Sequence, residues 1–169
     1  MYLDQNNMHP CQPLIHPDHL GRIAGYVDRT REAGDKILRG GNVWKDGGLW
    51  YEPTLIEPAS NDSEIVQHEV FGPVLTLQTF ADEAEAITLA NSTVYGLSAI
   101  LYTRDAARAE RVGRAVRAGT VWANCFLIRD LTAPFGGCGI SGIGREGGDY
   151  ALDFHSDLKT LQILEGSVS

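Results

Sequence analysis

A chain of 169 residues, of which 43% are hydrophobic, is long enough to bury a core and predicts a single domain over residues 1–169. Its net charge of −8 argues against nucleic acid and anionic membrane surfaces as partners. The 3 cysteines, Cys11, Cys125 and Cys138, are odd in number and show no C-x-x-C spacing. This pattern favours reduced thiols in a cytoplasmic protein.

The first segment offers neither a targeting signal nor a metal site. Residues 1–12 lack both a basic start and an apolar run, so we expect a flexible tail rather than a secretory signal. No later stretch is apolar for long enough to span a bilayer. Cys11, His16 and His19 are metal-ligand types, but a fourth ligand is missing and a turn at Pro17 explains the segment. The sequence therefore predicts no metal site.

Apolar residues at helical spacing predict a first helix over residues 17–34. Its apolar positions are Leu20, Ile23, Ala24 and Val27. Asp18 can cap the start of this helix and Gly34 can end it. The glycine-rich stretch 40–50 that follows predicts a hairpin with its turn at an Asp-Gly pair.

From residue 74 onward, strands and helices alternate. Strands are predicted over 74–80, 97–103 and 120–127, with one helix beginning at Asp82 and another over 105–117. Short turns in this order imply parallel strands joined by right-handed crossovers, which makes the fold class α/β. Sites are then expected beyond the carboxyl ends of the strands. Residues 158–165 alternate apolar and polar side chains, which predicts a last strand at a sheet edge or paired outside the core.

Gly142, Gly144 and Gly147 spell G-x-G-x-x-G, the spacing of a dinucleotide-binding loop. Such a loop needs a strand that ends at its first glycine, yet the nearest predicted strand ends at Leu127. We therefore interpret these glycines as allowing close backbone packing ahead of a helix near 145–154. A cofactor loop is the alternative interpretation.

Several motifs in collinear order point to a known family. The segments "EIVQHEVFGPVL", "ANSTVYGLSAILYTRD", "GTVWANCF", "PFGG" and "SGIGREGG" resemble the C-terminal part of an NAD(P)-dependent aldehyde dehydrogenase, from about Pro13 to Ile163. The segments "NCFLIRDLTAPFGG" and "GREGGDYALDFHSDLK" are most similar to the dehydrogenases of 2-hydroxymuconic and aminomuconic semialdehydes. The resemblance implies a parallel-sheet portion of the catalytic domain, with residues 158–165 as an edge or oligomerisation strand.

The resemblance also implies cofactor-binding residues. Glu69 corresponds to the family's glutamate that accepts hydrogen bonds from the nicotinamide ribose, a task that suits a carboxylate. Phe71 corresponds to the aromatic residue beside the nicotinamide. The structural alternative for both is a strand-entry turn set by Gly72 and Pro73.

Three further residues match positions at the substrate. Asn124 and Phe135 correspond to residues near the substrate channel. Arg129 stands where the semialdehyde dehydrogenases offer a cation to a substrate carboxylate, a task that suits the guanidinium fork. An ion pair with Asp130 or with another acid is the alternative role for Arg129.

The resemblance places the family's nucleophilic cysteine, Rossmann domain, oxyanion-hole asparagine and general-base glutamate before the position where this chain begins. We therefore expect no catalytic residue in the chain, no detectable NAD binding by the chain alone and no dehydrogenase activity alone. Close relatives carry an arginine in place of Thr132 and commonly a lysine in place of Gly139. Cys125 and Cys138 are candidates for a substitute nucleophile, but neither has a recognisable base beside it.

Three hypotheses follow. The chain is an aldehyde dehydrogenase domain without activity of its own, with a family reaction of NAD-dependent oxidation of a muconic-type semialdehyde. Alternatively, it is a binding or assembly module that forms a homo-oligomer or a complex with a dehydrogenase or another pathway enzyme through exposed apolar surface. As a third possibility, it is one half of a split enzyme that a partner chain completes.

Overall fold

The computed structural model describes residues 12–44 and 47–165, and it divides into two compact units between Thr93 and Val94. Most of the predicted tail, including Cys11, lies outside the described residues, as does one residue of the Asp-Gly turn. Across the described ranges, no helix is long and apolar enough to cross a membrane. In the same ranges, no group of three or more histidine, cysteine, aspartate or glutamate side chains is placed to hold a metal ion. That residues 1–169 form a single domain stays a prediction.

The first predicted helix is confirmed as α1, Pro17–Glu32. His16, rather than Asp18, caps it, because the His16 Nδ1 atom accepts a hydrogen bond from the Asp18 backbone N–H at 3.2 Å. Asp18 instead lies in the first turn, where its negative charge faces the positive end of the helix dipole. Gly34 follows the helix with φ of +88°, a conformation that glycine adopts without steric cost.

A mixed sheet lies in the first unit. Strands β1, Lys36–Arg39, β2, Thr54–Glu57, and β3, Val74–Thr76, are hydrogen-bonded in the order β1-β2-β3. β1 is antiparallel to β2, and β3 is parallel to it. Between β1 and β2 the glycine-rich stretch forms the predicted hairpin, with Val43 bridged to Tyr51.

The core of this unit lies between α1, the sheet and a short helix α2, Glu64–Gln67. Its buried apolar residues are Ile23, Val27, Tyr51, Ile56, Ile65 and Val70. Burying an aliphatic side chain of this size contributes about 1.5–3 kcal/mol. Asp35 ties β1 to the chain before α2, because its carboxylate accepts hydrogen bonds from the Ala59 backbone at 2.7 Å and the Ser63 hydroxyl at 2.9 Å.

The segment predicted as a strand over 74–80 differs from expectation in length and in partner. Strand β3 ends at Thr76, and its partner is β2, with Thr54 aligned to Val74. The alternation predicted β3 to be the first of three successive parallel strands. Apolar spacing shows that a segment is extended, but it carries no information on which neighbour takes its hydrogen bonds.

Two later helices begin at aspartate caps, of which the one at Asp82 was predicted. Helix α3, Glu83–Ala90, follows Asp82, whose side chain accepts a hydrogen bond from the Glu85 backbone N–H at 2.9 Å. Helix α4, Ala106–Ala115, follows Asp105, whose side chain accepts from the Arg108 backbone N–H at 3.1 Å. Each cap satisfies a backbone donor that the helix itself leaves unpaired.

The second unit contains a two-stranded parallel sheet of β4, Ser98–Leu101, and β5, Thr120–Ala123. Helix α4 joins these strands, which confirms the predicted strand–helix–strand crossover and the α/β class. A 3₁₀ turn, Gly139–Ser141, and helix α5, Gly148–His155, follow. Residues 158–165 form no ladder in the described chain, so an edge strand there stays a prediction that needs a partner.

The two units bury different amounts of side chain. All of the buried apolar core residues belong to the first unit. Among described residues of the second unit, the fully buried ones are the glycines Gly96 and Gly137. The second unit leaves large apolar side chains exposed, among them Leu158 and Leu164 at 90% and 93%. Its stability therefore depends less on burial within the chain.

Candidate functional site

The predicted cofactor residues lie on the turn between α2 and β3. Glu69 and Phe71 are both exposed there, and the Phe71 ring is 69% accessible. Phe71 has φ of +59°, in the left-handed region that bulky residues rarely adopt. Such a conformation costs about 1–3 kcal/mol and persists only where surrounding contacts determine it. A cofactor role for Glu69 and Phe71 stays a prediction, beside the alternative of a strand-entry turn set by Gly72 and Pro73.

Helix α1 lies against this turn. The Nε2 atom of His19 is 2.6 Å from the carbonyl oxygen of Phe71, and the two rings are 6.3 Å apart. Arg22 donates a longer hydrogen bond to the Val70 carbonyl at 3.4 Å. An open concavity of about 420 Å³ is lined here by Ile15, His16, Asp18, His19, Arg22 and Phe71. The structure thus sets imidazole, guanidinium, carboxylate and phenyl side chains around one open space.

Asn124 closes the carboxyl ends of the second sheet. Its amide exchanges two hydrogen bonds with Thr103: the Thr103 N–H donates to Oδ1 and Nδ2 donates to the Thr103 carbonyl, each at 2.8 Å. Asn124 has φ of +57°, and asparagine is among the residues that tolerate this region. The amide therefore joins the ends of β4 and β5. A contact of Asn124 with substrate stays a prediction.

Arg129 and Phe135, two predicted substrate residues, are brought together by the structure. The guanidinium carbon lies 4.6 Å from the centre of the Phe135 ring, a cation–π contact. Arg129 also forms an ion pair with Glu146. Two backbone hydrogen bonds at 2.7 and 2.8 Å join Phe135 to Glu146 and hold the three side chains in one cluster. We call Arg129, Phe135 and Glu146 the arginine cluster.

Of the two ion pairs considered for Arg129, the one with Asp130 is not formed. Asp130 accepts hydrogen bonds from the Thr132 hydroxyl at 2.7 Å and from the Thr132 N–H at 2.9 Å. These bonds, the hydroxyl first, lower the pKa of Asp130. Thr132 stands where close relatives are expected to carry an arginine. Its hydroxyl and N–H bind the Asp130 carboxylate, and Arg129 pairs with Glu146 instead.

The glycine-rich loop packs on itself, as predicted. A Cβ atom on Gly144 would lie 2.3 Å from the ring of Phe154, and one on Gly136 would lie 2.6 Å from the Gly144 carbonyl. Arg145 donates to the carbonyls of Gly137 and Gly144 at 2.8 and 2.7 Å. Since the loop follows a 3₁₀ turn rather than a strand, it lacks the strand-to-helix geometry of a dinucleotide-binding loop.

The helix after this loop begins later than predicted. It was expected near 145–154, but α5 begins at Gly148 because the bridge to Phe135 keeps Glu146 in an extended pairing. Glu146 is therefore free of the helix and able to reach Arg129. Sequence spacing gave no signal for that pairing, since the two residues are far apart along the chain and the loop geometry brings them together.

Two cysteines lie in the described chain, and the expectation that neither is a nucleophile stays a prediction. Both Cys125 and Cys138 are free thiols of intermediate exposure. The Cys138 sulfur lies 3.6 Å from Nη2 of Arg145, a cation that cannot accept a proton. A thiol can be activated either by an adjacent base or by a nearby cation, and this contact offers a cation.

Comparison with known proteins matches most of the chain to one protein family. The sequence model of the aldehyde dehydrogenase family matches residues 4–161. A 2-aminomuconic 6-semialdehyde dehydrogenase of a Pseudomonas species is 43% identical over 154 residues, covering 88% of this chain and 31% of that protein. A 2-hydroxymuconic semialdehyde dehydrogenase of another Pseudomonas strain is 38% identical, covering 88% of this chain and 32% of its own length.

Solved structures agree with the sequence comparison. Betaine aldehyde dehydrogenase from Staphylococcus aureus, in complex with NAD+, superposes with a TM-score of 0.79 at 40% identity, covering 84% of this chain and 29% of that one. A variant of aldehyde dehydrogenase from Bacillus cereus superposes with a TM-score of 0.82 at 35% identity, covering 87% and 30%. The chain spans about a third of the length of the curated relatives that it matches.

Proposed function

Because the chain belongs to the aldehyde dehydrogenase family, we propose that it supplies part of the catalytic domain of an NAD-dependent dehydrogenase that oxidises a carboxylated semialdehyde to the acid. The observation that carries the substrate class is the arginine cluster, in which Arg129 lies over the Phe135 ring and pairs with Glu146. This arrangement holds a cation beside an aromatic face at the end of the second sheet, where substrates of open α/β folds bind.

The charge of Arg129 selects between substrate classes found among the relatives. A muconic semialdehyde carries a carboxylate, which a guanidinium binds through two parallel hydrogen bonds. Betaine aldehyde carries a quaternary ammonium, which the same guanidinium repels. The exposed ion pair with Glu146 is a weak interaction. A substrate carboxylate can therefore share or replace this partner at small cost.

The turn that bears Glu69 and Phe71 supports the choice of cofactor. When bound, NAD accepts the hydride that leaves the aldehyde carbon. An exposed aromatic ring on a constrained backbone and an exposed carboxylate nearby suit a flat ring and a ribose. The open concavity beside Phe71 has room for part of such a ligand. The proposal that NAD is the cofactor therefore rests on the relatives and on this fit.

We propose further that the 169-residue chain, assayed alone, oxidises no aldehyde and binds NAD too weakly to detect. The family resemblance supports this, since neither Cys125 nor Cys138 corresponds to the nucleophilic cysteine of the family. Completion by a partner chain is the second candidate function. It is favoured by the exposed apolar side chains of residues 158–165, which form no ladder in the described chain. Free thiols at Cys125 and Cys138 accord with a cytoplasmic location.

A chimera tests the proposed substrate class. Residues 13–163 of this chain would replace the aligned segment of the Pseudomonas 2-aminomuconic 6-semialdehyde dehydrogenase, and NADH formation would be followed with a carboxylated semialdehyde, a neutral aldehyde and betaine aldehyde. We expect kcat/KM to be highest for the carboxylated substrate. Arg129→Gln should lower that value by about tenfold or more, mainly through KM, because a hydrogen bond to a charged group is lost.

Arg114→Gln is the matched control, since Arg114 also pairs with a glutamate, Glu110, at 3.0 Å on the exposed face of α4. This variant should leave all three substrates unchanged. An equal loss for neutral and carboxylated aldehydes in Arg129→Gln would contradict the proposal. For the chain alone, NADH formation from any of these aldehydes would show that it contains a nucleophile of its own.

A further inference from the structure

One face of helix α1 contacts the turn before β3. His19, Arg22 and Ile23 have the i, i+3, i+4 spacing that places side chains on the same side of a helix. Each of them meets a different residue of the turn: His19 meets Phe71, Arg22 meets Val70, and Ile23 meets Gly72. Three successive backbone positions are therefore held by one helix face.

These three contacts differ in kind. Ile23 is fully buried, and a Cβ atom on Gly72 would lie 2.4 Å from its Cδ1 atom, so this contact is close apolar packing. The hydrogen bond from Arg22 to the Val70 carbonyl is long, at 3.4 Å. The distance from His19 Nε2 to the Phe71 carbonyl is short, at 2.6 Å. The shorter of the two polar contacts is thus made to Phe71, the residue of this turn whose backbone is left-handed.

The chemistry of this contact assigns the imidazole tautomer. A carbonyl oxygen only accepts hydrogen bonds, so the His19 Nε2 atom must carry the proton. A donor at this point satisfies the carbonyl of the residue whose backbone is left-handed. If the donor were lost, this hydrogen bond would no longer offset the steric cost of the left-handed conformation.

We propose that His19 is a positioning residue, which holds the Phe71 backbone in its left-handed conformation and so sets the direction in which the Phe71 ring is presented. The part of this inference that concerns the nicotinamide ring rests on the proposed function, whereas the backbone part rests on the geometry of α1 and the turn. The competing explanation is that packing of Gly72 against Ile23 alone fixes the turn, with His19 as a bystander.

Nuclear magnetic resonance of the unaltered 169-residue chain tests the backbone part. We expect the imidazole nitrogen shifts of His19 to report the Nε2–H tautomer, and scalar couplings to report positive φ at Phe71. A His19 ring protonated at Nδ1 alone would overturn the proposal, because its Nε2 atom could not donate.

Two variants extend this test. His19→Leu removes the donor, and His19→Gln places an amide N–H at about the same reach. We expect the leucine variant to lose the positive φ of Phe71 and the glutamine variant to keep it, with the amide signals of β2 unchanged in both. Retention of positive φ in a folded His19→Leu variant would favour packing by Ile23 and overturn the proposal. If the leucine variant does not fold, His19→Ala, which also removes the donor, takes its place, and retention of positive φ in that variant would equally overturn the proposal.

The chimera then tests the cofactor part. We expect His19→Leu to raise KM for NAD about fivefold, the size expected for one lost hydrogen bond, with a smaller change in kcat and with rescue by His19→Gln. His155→Leu, at a histidine remote in sequence, is the control and should change neither constant. If Phe71→Ala leaves KM for NAD unchanged, the proposed cofactor role of this turn fails, while the resonance data still stand for the backbone part. If Phe71→Ala raises KM for NAD but His19→Leu does not, the positioning role of His19 is overturned.

Discussion

Among described non-glycine residues, left-handed backbone occurs at Phe71, Asn124 and Leu127. Two of these three were singled out from sequence as site residues. Strain of this kind concentrates at functional sites, because a rigid surrounding can hold a side chain in a direction that relaxed backbone would not give. Sequence identified the residue types, but the conformation depends on contacts with α1 and Thr103, which are distant along the chain.

Tyr51 provides a test of the core at the level of one residue. Burial raises its pKa to about 12 from an ordinary value of 10.0. Because the folded-state pKa of this acid is raised, its contribution to stability is complete below pH 10.0 and is lost as the pH rises towards 12. We expect phenolate absorbance to show a late ionisation step that Tyr51→Phe removes. Tyr102→Phe, at a ring that is 74% exposed, should retain this step. Persistence of the late step in Tyr51→Phe would contradict the assignment.

At the level of elements, α1 serves both the core and the site. Ile23 and Val27 contribute to the core, and His19, on the same face as Ile23, contacts the turn of Phe71. The apolar spacing predicted the first of these roles. The contact of His19 with the turn depends on where β3 joins the sheet, and apolar spacing carries no information on that position.

A glycine on the exposed side of α1 offers a test of this helix. A Cβ atom on Gly21 would meet nothing within 4 Å. Glycine in a helix interior costs up to about 1 kcal/mol relative to alanine, so Gly21→Ala should raise the free energy of unfolding by up to that amount. Urea denaturation would measure the change.

Gly25→Ala is the matched control for that measurement, because it makes the same change one turn further along α1. There the new Cβ atom would lie 3.3 Å from Nη1 of Arg29, whose side chain also binds Glu64 at 2.8 Å. We expect a smaller gain in stability at this position. A loss of stability at Gly21 would indicate that the helix is not exposed there.

Considered as a whole, the molecule has one well-buried core and one unit with little burial of its own. The second unit exposes the apolar side chains of residues 158–165, and the backbone of this segment takes part in no ladder in the described chain. Such a segment is suited to pairing with another chain. We therefore expect the chain to associate at micromolar concentration, and a clean monomer in light scattering would count against this expectation.

A proline tests whether association uses the backbone of this segment. Gln162→Pro removes one backbone N–H donor and should weaken self-association by about tenfold or more if a ladder forms there. Gln162→Ala keeps the donor and should associate like the unaltered chain. Equal association of the two variants, measured by analytical ultracentrifugation, would show that the contact lies elsewhere.

The sequence by itself determined the family, the first helix, the aspartate cap of α3 and the strand–helix–strand unit of the second sheet. These features depend on residue type and local spacing, which act over a few residues. Only the tertiary structure decided that β3 pairs with β2, that Arg129 pairs with Glu146 and that His19 meets Phe71. Such contacts join residues far apart along the chain, and they arise when packing of the helices and strands brings a donor within reach of an acceptor.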